Sequence, residues 1–218
     1  MRKTFCISFH KTGTTSLHQY LLASGIASCH GPHVVDGIDY MEKVRAVQDD
    51  PGGVVEVLEP VIAKFDAHCD VPYPGIYREL AVRYPDAQFI FLRRDPEQWW
   101  ASVSAQWSLT LFDHELSPFE YVQYRPYANG MKSVGMKDRS RLLSAFNRHE
   151  DAVRSDLRDK DVLYCDLEDP QKSAKLAEFL GATAGGDFPH AKRTTLRRIS
   201  KQLIKNAKRR LGTQGWAR

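Results

Sequence analysis

The sequence predicts an α/β fold of three layers, in which helices flank a central, mainly parallel β-sheet. Short apolar runs with the composition of buried strands alternate along the chain with longer stretches whose apolar residues recur at helical spacing. The chain has 218 residues, which is enough for one α/β domain with a substantial core. It shows no internal repeat, low-complexity stretch or evident domain boundary. Residues 1–218 are therefore expected to form a single domain.

The predicted elements follow one another as β-α-β units. Four apolar runs are predicted as strands, and they cover residues 4–9, 61–65, 89–92 and 161–165. Six segments are predicted as helices, and they cover residues 13–23, 40–48, 75–84, 96–107, 137–157 and 170–180. Residues 108–135 are rich in aromatic side chains and follow no regular period. That stretch is interpreted either as a lid over a bound ligand or as aromatic packing beneath a long loop.

The segment between the first strand and the first helix, residues 8–16, resembles a phosphate-binding loop. Overlaid on G-x-x-x-x-G-K-[ST], it places Gly13 at the second glycine and Thr15 at the Ser/Thr position, but Thr14 stands where the lysine is required. Lys11 lies three residues earlier, and its flexible stem can bring one charge to a phosphate oxygen. Gly13 permits the tight turn that points helix N–H groups at an anion. A P-loop-type fold without a triphosphate lysine is therefore predicted; a threonine-rich helix start without a ligand is the alternative.

A second candidate site follows the strand at 89–92. Arg94, Asp95 and Pro96 lead into the next helix, and Ser102 lies eight residues after Arg94. The interval puts Arg94 at the strand end and Ser102 two turns into the helix, so that both side chains can reach one phosphate. Arginine presents a planar fork that suits phosphate oxygens. Alone this motif is weak, because many strand-to-helix loops carry such residues as caps.

Together the two motifs resemble those of sulfotransferases that use 3′-phosphoadenylyl sulfate (PAPS). The family's 5′-phosphosulfate loop is roughly P-K-[ST]-G-T-T, and its 3′-phosphate motif is a strand, R-[ND]-P and a serine eight residues after the arginine. The chain departs from the loop pattern at His10, which replaces the proline. The resemblance implies that Arg94 and Ser102 bind the 3′-phosphate. It also implies a 5′-phosphosulfate site formed by His10, Lys11, Thr12, Gly13, Thr14, Thr15 and Ser16.

The resemblance also implies a catalytic base after the strand predicted at 61–65. In cytosolic sulfotransferases a K-[ST]-H-L-P histidine deprotonates the acceptor hydroxyl, and Asp70-Val71-Pro72 aligns with its last three positions. The sequence is similar to compact relatives with an acidic residue there. His68 competes, because histidine has a pKa of about 6.5 and aspartate about 3.9. Asp70 is favoured on motif position; the alternatives are that Asp70 caps the next helix and that His68 is an ordinary strand-end histidine.

The C-terminal residues 192–218 are compositionally distinct. They contain ten Lys or Arg and no acidic residue, whereas the rest of the chain has 21 basic and 27 acidic residues, a net charge of minus six. Their apolar residues recur at helical spacing, which predicts a basic helix and tail able to contact a cofactor, an anionic membrane or nucleic acid. Residues 212–216 resemble the end of the family's R-K-G-x-x-G-x-W segment, which covers the 3′-phosphate. Arg209 and Arg210 are therefore further candidate cofactor contacts.

Bulk properties exclude several protein classes. No apolar run approaches the roughly 18 residues of a membrane-spanning helix, and no signal-peptide segment precedes the first strand. The four cysteines form no C-x-x-C pair, so neither a zinc site nor a disulfide framework is predicted, and a cytoplasmic location is expected. These cysteines are Cys6, Cys29, Cys69 and Cys165.

The predicted activity is transfer of a sulfuryl group from PAPS to a hydroxyl or amine of a small-molecule or carbohydrate acceptor, with release of adenosine 3′,5′-bisphosphate (PAP). Lys11 and the base, Asp70 or His68, are the expected catalytic residues, with no metal and no nucleic-acid partner. One alternative is a P-loop kinase, which would need Mg²⁺, ATP and a Walker lysine. The other is a non-enzymatic module that binds membranes or nucleic acid through residues 192–218.

Overall fold

A five-stranded, parallel β-sheet forms the centre of the protein. The computed structural model describes residues 2–108, 114–127, 133–134, 139–183 and 185–189. The sheet strands are β1 (Thr4–Cys6), β2 (Ser28–His30), β5 (Ala67–Cys69), β6 (Gln88–Arg93) and β9 (Asp161–Asp166), in the order β2-β5-β1-β6-β9. All four pairings are parallel. Two small antiparallel hairpins pair β3 (Val34–Val35) with β4 (Ile38–Asp39), and β7 (His114–Glu115) with β8 (Ser133–Val134).

Helices cover both faces of this sheet. They are α1 (Thr14–Ala23), α2 (Tyr40–Val47), α3 (Pro51–Lys64), α4 (Tyr77–Arg83), α5 (Pro96–Ser108), α6 (Pro118–Tyr124), α7 (Arg139–Asp156) and α8 (Lys172–Leu180). A 3₁₀ turn at Tyr73–Gly75 precedes α4. No helix in the described part of the chain is both long enough and apolar enough to span a bilayer.

The alternation of side chains along the central strands divides the core between the two faces. Phe5 of β1 and Phe89 of β6 point to the face that carries α2, α3 and α4, whereas Cys6 and Ile90 point to the face that carries α1 and α8. Successive residues of a strand point to opposite faces, so strands covered on both sides are apolar throughout. The predicted three-layer α/β fold with a mainly parallel sheet is confirmed.

One predicted strand is wrong. Residues 61–65 are not a strand, because α3 runs from Pro51 to Lys64 and the sheet strand that follows is β5. Asp50 caps the start of the helix, and its carboxylate accepts from the Gly52 N–H at 3.0 Å. Its buried residues recur at helical spacing and are Val54, Val55, Leu58, Val61 and Ile62. Two glycines and Pro60 conceal this pattern in the sequence, and tertiary burial outweighs their poor helix propensity.

The aromatic stretch 108–135 contains structure that the sequence did not predict. Helix α6 begins with a capping box, in which the Ser117 hydroxyl accepts from the Glu120 N–H while the Glu120 carboxylate accepts from the Ser117 N–H. Phe119 and Tyr124 in this helix are fully buried. Helix α6 therefore packs into the core. Phe112, the basic segment 192–218 and its Arg209 and Arg210 lie outside the described residues.

The order of the strands places a crevice at one edge of the sheet. Strand β1 lies between β5 and β6 in the sheet. The loop that follows β1 diverges from the loops that follow these two neighbouring strands. Ligands of open parallel sheets bind beyond the carboxyl ends of the strands at such a point. The loops after β1, β2, β5, β6 and β9 all reach this edge.

Candidate active site

A cleft of about 320 Å³ lies at this edge of the sheet, between the loop after β1 and the segments after β5, β6 and β9. We call it the edge cleft. Nine of the residues predicted from the sequence line it, and they are His10, Lys11, Gly13, Thr14, Thr15, Ser16, Asp70, Arg94 and Ser102. Residues that are more than 90 positions apart in the sequence therefore share one cavity.

The backbone of the loop after β1 is shaped by two left-handed residues. Gly13 has a φ of 95° and Lys11 a φ of 66°, and α1 begins immediately after Gly13. A Cβ atom at Gly13 would lie 3.0 Å from Leu167 Cδ2, so the position also requires a small residue. Thr12 does not line the cleft; its hydroxyl donates to the Phe9 carbonyl at 2.6 Å and braces the loop. The first N–H groups of an α-helix have no carbonyl partner within the helix, and such helix starts bind anions in many proteins.

His10, which stands at the position of the family's proline, is anchored by α5 and α6. The backbone N–H of His10 donates to the amide oxygen Oε1 of Gln123 at 2.9 Å, and its carbonyl accepts from Trp99 Nε1 at 2.9 Å. Its ring nitrogen Nε2 bonds the Tyr124 hydroxyl, and Nδ1 lies 3.9 Å from Glu120 Oε1. Side-chain partners on two helices thus fix the residue before Lys11.

Two adjacent arginines at the end of β6 point in different directions. Arg94 lines the cleft, and its Nη1 donates to the carbonyl oxygen of Lys11 at 2.6 Å. Burial lowers the pKa of Arg94, and the acidic Glu168 and Asp95 oppose that shift. Arg93 is exposed and pairs with Glu150 at 3.2 Å. Of the two arginines, the one that belongs to the predicted motif, Arg94, lines the cleft and contacts the Lys11 loop directly.

Asp70 presents two differently placed carboxylate oxygens. The residue has a φ of 75°, a left-handed conformation that aspartate tolerates better than most residues. Its Oδ2 lies 3.3 Å from Nε2 of His30. Its Oδ1 is buried and has no hydrogen-bond partner in the described part of the chain. Asp70 does not cap α4, whose N-cap residue is Ile76.

His68 lies in the core rather than in the cleft. Its side chain is fully buried and stacks on Phe5 with ring centroids 5.1 Å apart. Nε2 donates to the Phe65 carbonyl at 3.2 Å, and Nδ1 accepts from the Tyr73 hydroxyl at 3.3 Å. Burial, and secondarily the charge of Lys3, lower the pKa of His68 to about 4. Of the two candidate bases, the edge cleft is therefore lined by Asp70 and not by His68.

Several lining residues were not predicted from the sequence. Lys172, in the first turn of α8, donates to the Asp169 carbonyl at 3.1 Å and lies 6.0 Å from the Phe188 ring centroid. Within the part of the chain that the structure describes, the additional lining residues are Gln98, Gln106, Leu167, Glu168, Lys172, Phe188 and Pro189.

His30 was also missed, because the three-residue strand β2 that ends in it is too short to show a period. It lies beside the cleft residues Thr14, Thr15 and Asp70, with ring-nitrogen distances of 3.3, 3.1 and 3.3 Å to their oxygen atoms. Within the residues that the structure describes, no group of three or more His, Cys, Asp or Glu side chains is arranged to hold a metal ion.

Comparisons with known proteins agree with this architecture. The family model described as "Sulfotransferase domain" matches residues 3–196. The crystal structure of a sulfotransferase from Alicyclobacillus acidocaldarius has the same fold, with a TM-score of 0.50 and 13% sequence identity over 98% of this chain and 95% of that chain. A search of curated proteins finds no match. The family match covers most of the sequence, including every strand of the central sheet, and the chain therefore belongs to the sulfotransferase family.

Proposed function

We propose that the protein transfers a sulfuryl group from PAPS to a hydroxyl or amine of a small-molecule or carbohydrate acceptor. One observation carries the proposal: Lys11, Asp70, Arg94 and Ser102, which come from three separate loops and one helix, line a single cleft. Neither the kinase nor the basic-module alternative accounts for that convergence.

The chemistry of the cleft fits the donor. A doubly phosphorylated adenosine needs cationic and N–H donors at two points and an apolar surface for the purine ring. Lys11 with the start of α1 provides one anion site, and Arg94 with Ser102 provides another. Leu167 and Phe188 give the cleft an apolar wall. PAPS, when bound, supplies the sulfuryl group and leaves as PAP.

The residues of the chain have separate tasks in this proposal. The Asp70 carboxylate, which lines the cleft, accepts the proton that the acceptor hydroxyl loses. The Lys11 ammonium group stabilises negative charge on the leaving phosphate, and preorganised groups of this kind are worth roughly 10²- to 10³-fold in rate. Arg94 and Ser102 hold the 3′-phosphate. Arg209 and Arg210 are proposed to contact the same 3′-phosphate.

The cellular location is part of the proposal. All four cysteines are buried free thiols. Free thiols persist in reducing compartments, which favours the cytoplasm. Contact of the basic segment 192–218 with an anionic membrane surface is compatible with that location.

The donor is tested by thermal unfolding with three ligands: PAP without metal, and ADP or ATP with Mg²⁺. A ligand that binds only the native state stabilises it by about 2.7 kcal/mol at 100 times its Kd. We expect PAP to raise the melting temperature and the Mg²⁺ complexes to have little effect. Stabilisation by ATP with Mg²⁺ but not by PAP would establish the kinase alternative instead.

A further inference from the structure

His30 connects the two halves of the edge cleft. It ends β2, whose register pairs His30 with Cys69, the residue before Asp70. Its Nε2 lies 3.3 Å from Asp70 Oδ2 on one side. On the other side the same nitrogen lies 3.3 Å from Thr14 Oγ1 and 3.1 Å from Thr15 Oγ1. One atom therefore touches both the proposed base and the proposed phosphosulfate loop.

The protonation of Nε2 decides in which of these contacts His30 can be the hydrogen-bond donor. Nε2 carries either one hydrogen or one lone pair. A bare Nε2 would direct its lone pair at an ionised carboxylate, which is repulsive, whereas an Nε2–H group donates to it in a charge-assisted hydrogen bond. The Asp70 contact therefore selects the state in which Nε2 carries the hydrogen.

This protonation state has consequences on both sides of His30. With Oδ2 of Asp70 bonded to the Nε2–H group, the carboxylate cannot rotate freely and keeps one orientation beside the cleft that it lines. Because an Nε2–H group cannot accept a hydrogen bond, the Thr14 and Thr15 hydroxyls do not donate to the ring. They can instead donate to an anion in the cleft, which both residues line.

We propose that His30 is a positioning residue that donates from Nε2 to Asp70 and so aligns the base with the donor loop. The inference rests on the proposed function, because it assigns His30 a part in sulfuryl transfer. His30 does not touch the reacting atoms in this scheme. Its removal is expected to lower kcat through Asp70 and to leave the affinity for PAP nearly unchanged.

His18 is a matched control for substitutions at His30. Its ring lies 5.5 Å from that of His30, but its Nδ1 bonds the Ser28 hydroxyl at 3.0 Å rather than the Asp70 carboxylate. Like His30, it is half-buried. A general disturbance of this region would affect variants at both histidines.

The experiment compares His30→Leu, His30→Gln and His18→Leu with the wild-type protein. Turnover is followed as release of sulfate from PAPS, with water as the acceptor, and PAP affinity is measured by calorimetry. We expect His30→Leu to lose about tenfold or more in kcat, since small misplacements of reacting groups cost up to about 10²-fold, with the Kd for PAP within about threefold of wild type. His30→Gln, whose amide can donate in place of Nε2, should recover most of the loss. His18→Leu should behave as wild type.

A second readout does not depend on turnover. Long-range ¹⁵N–¹H spectra of the histidines, assigned with the same variants, report whether Nε2 of His30 carries a hydrogen. The inference is overturned by a bare Nε2, or by His30→Leu turning over PAPS within about twofold of wild type. Failure of the proposed function is distinct, because it would appear as absence of PAP binding by the wild-type protein.

Discussion

At the scale of single residues, Asp70 is distinguished by the different surroundings of its two oxygens. Oδ2 lies 3.3 Å from Nε2 of His30, and Oδ1 is buried without a partner in the described structure. A buried hydrogen-bond acceptor without a partner costs about 1–3 kcal/mol of folding free energy. Such a cost calls for an explanation, and a functional role of Asp70 at the edge cleft supplies one.

Asp70→Asn is expected to lower PAPS turnover by about 10²- to 10⁴-fold, the usual contribution of a general base. Asparagine is a suitable replacement because it keeps the size of the side chain and tolerates the φ of 75°. The Kd for PAP should change little, since Lys11 and Arg94 hold the phosphates. Sulfate release and calorimetry measure the two quantities. Normal turnover by Asp70→Asn together with loss in His68→Gln would assign the base to His68.

The two arginines at the end of β6 supply a matched pair of variants. Arg94→Ala should weaken PAP binding by roughly 10- to 100-fold, because it removes charged hydrogen bonds to a phosphate that are worth about 1.5–3 kcal/mol. Arg93→Ala removes an equal charge from an exposed position that pairs with Glu150, and should change the Kd by less than about twofold. Calorimetric titration with PAP checks both. Equal effects of the two variants would refute a specific role for Arg94.

At the scale of elements, α6 braces both sides of the site. It holds His10 at the start of the Lys11 loop through Gln123 and Tyr124. It also packs against the 3₁₀ turn that follows Asp70: a Cβ atom at Gly75 would lie 2.1 Å from the Val122 carbonyl oxygen. A side chain at Gly75 would separate these elements.

Gly75→Ala is therefore expected to lower the free energy of unfolding by about 3 kcal/mol, at the upper end of the usual overpacking cost. Gly52→Ala is the control, because its Cβ would lie 3.4 Å from Asp50 Oδ1 in the first turn of α3, an ordinary contact. That variant should be neutral or slightly stabilising. Urea denaturation gives both values. Equal stability of the two variants would mean that the turn and α6 are not tightly packed.

The packing of the elements also explains which residues of the site could be predicted from the sequence and which could not. The Lys11 loop and the interval between Arg94 and Ser102 each depend on local spacing within one strand–helix unit, so both were predicted, and the family resemblance joined them into one site. His30 and Lys172 reach the cleft only through the packing of β2 and α8, which local spacing does not encode. The strand predicted at 61–65 failed because an apolar run of five residues suits both a strand and the last turn of a buried helix.

At the scale of the whole molecule, two fully buried histidines couple stability to pH. His149 bonds the Ile7 carbonyl and the Tyr127 hydroxyl, and burial lowers its pKa to about 4. Burial lowers the pKa of His68 to the same value. Both rings are therefore neutral in the folded protein at a pH where the unfolded chain, with a histidine pKa of about 6.5, already binds protons.

The folded protein should accordingly lose stability as the pH falls from about 6.5 to about 4, by on the order of 3 kcal/mol for each histidine. Carboxylates also titrate near the lower limit, so the comparison is made with His149→Gln, whose side chain does not titrate. This variant should be less stable at pH 7.5 but should show a weaker dependence on pH. Urea unfolding from pH 4 to 7.5 measures both curves. Parallel curves would show that His149 is not the neutral, buried group described above.

The central claim, that one cleft holds both ends of the donor nucleotide, is tested most directly by a crystal structure of the protein with PAP. We predict the 5′-phosphate at the Lys11 loop and the start of α1, and the 3′-phosphate within hydrogen-bond distance of Arg94 and Ser102. Asp70 should face the open side of the 5′-phosphate, where the acceptor would lie. PAP bound elsewhere, or with its 3′-phosphate away from Arg94, would contradict the account.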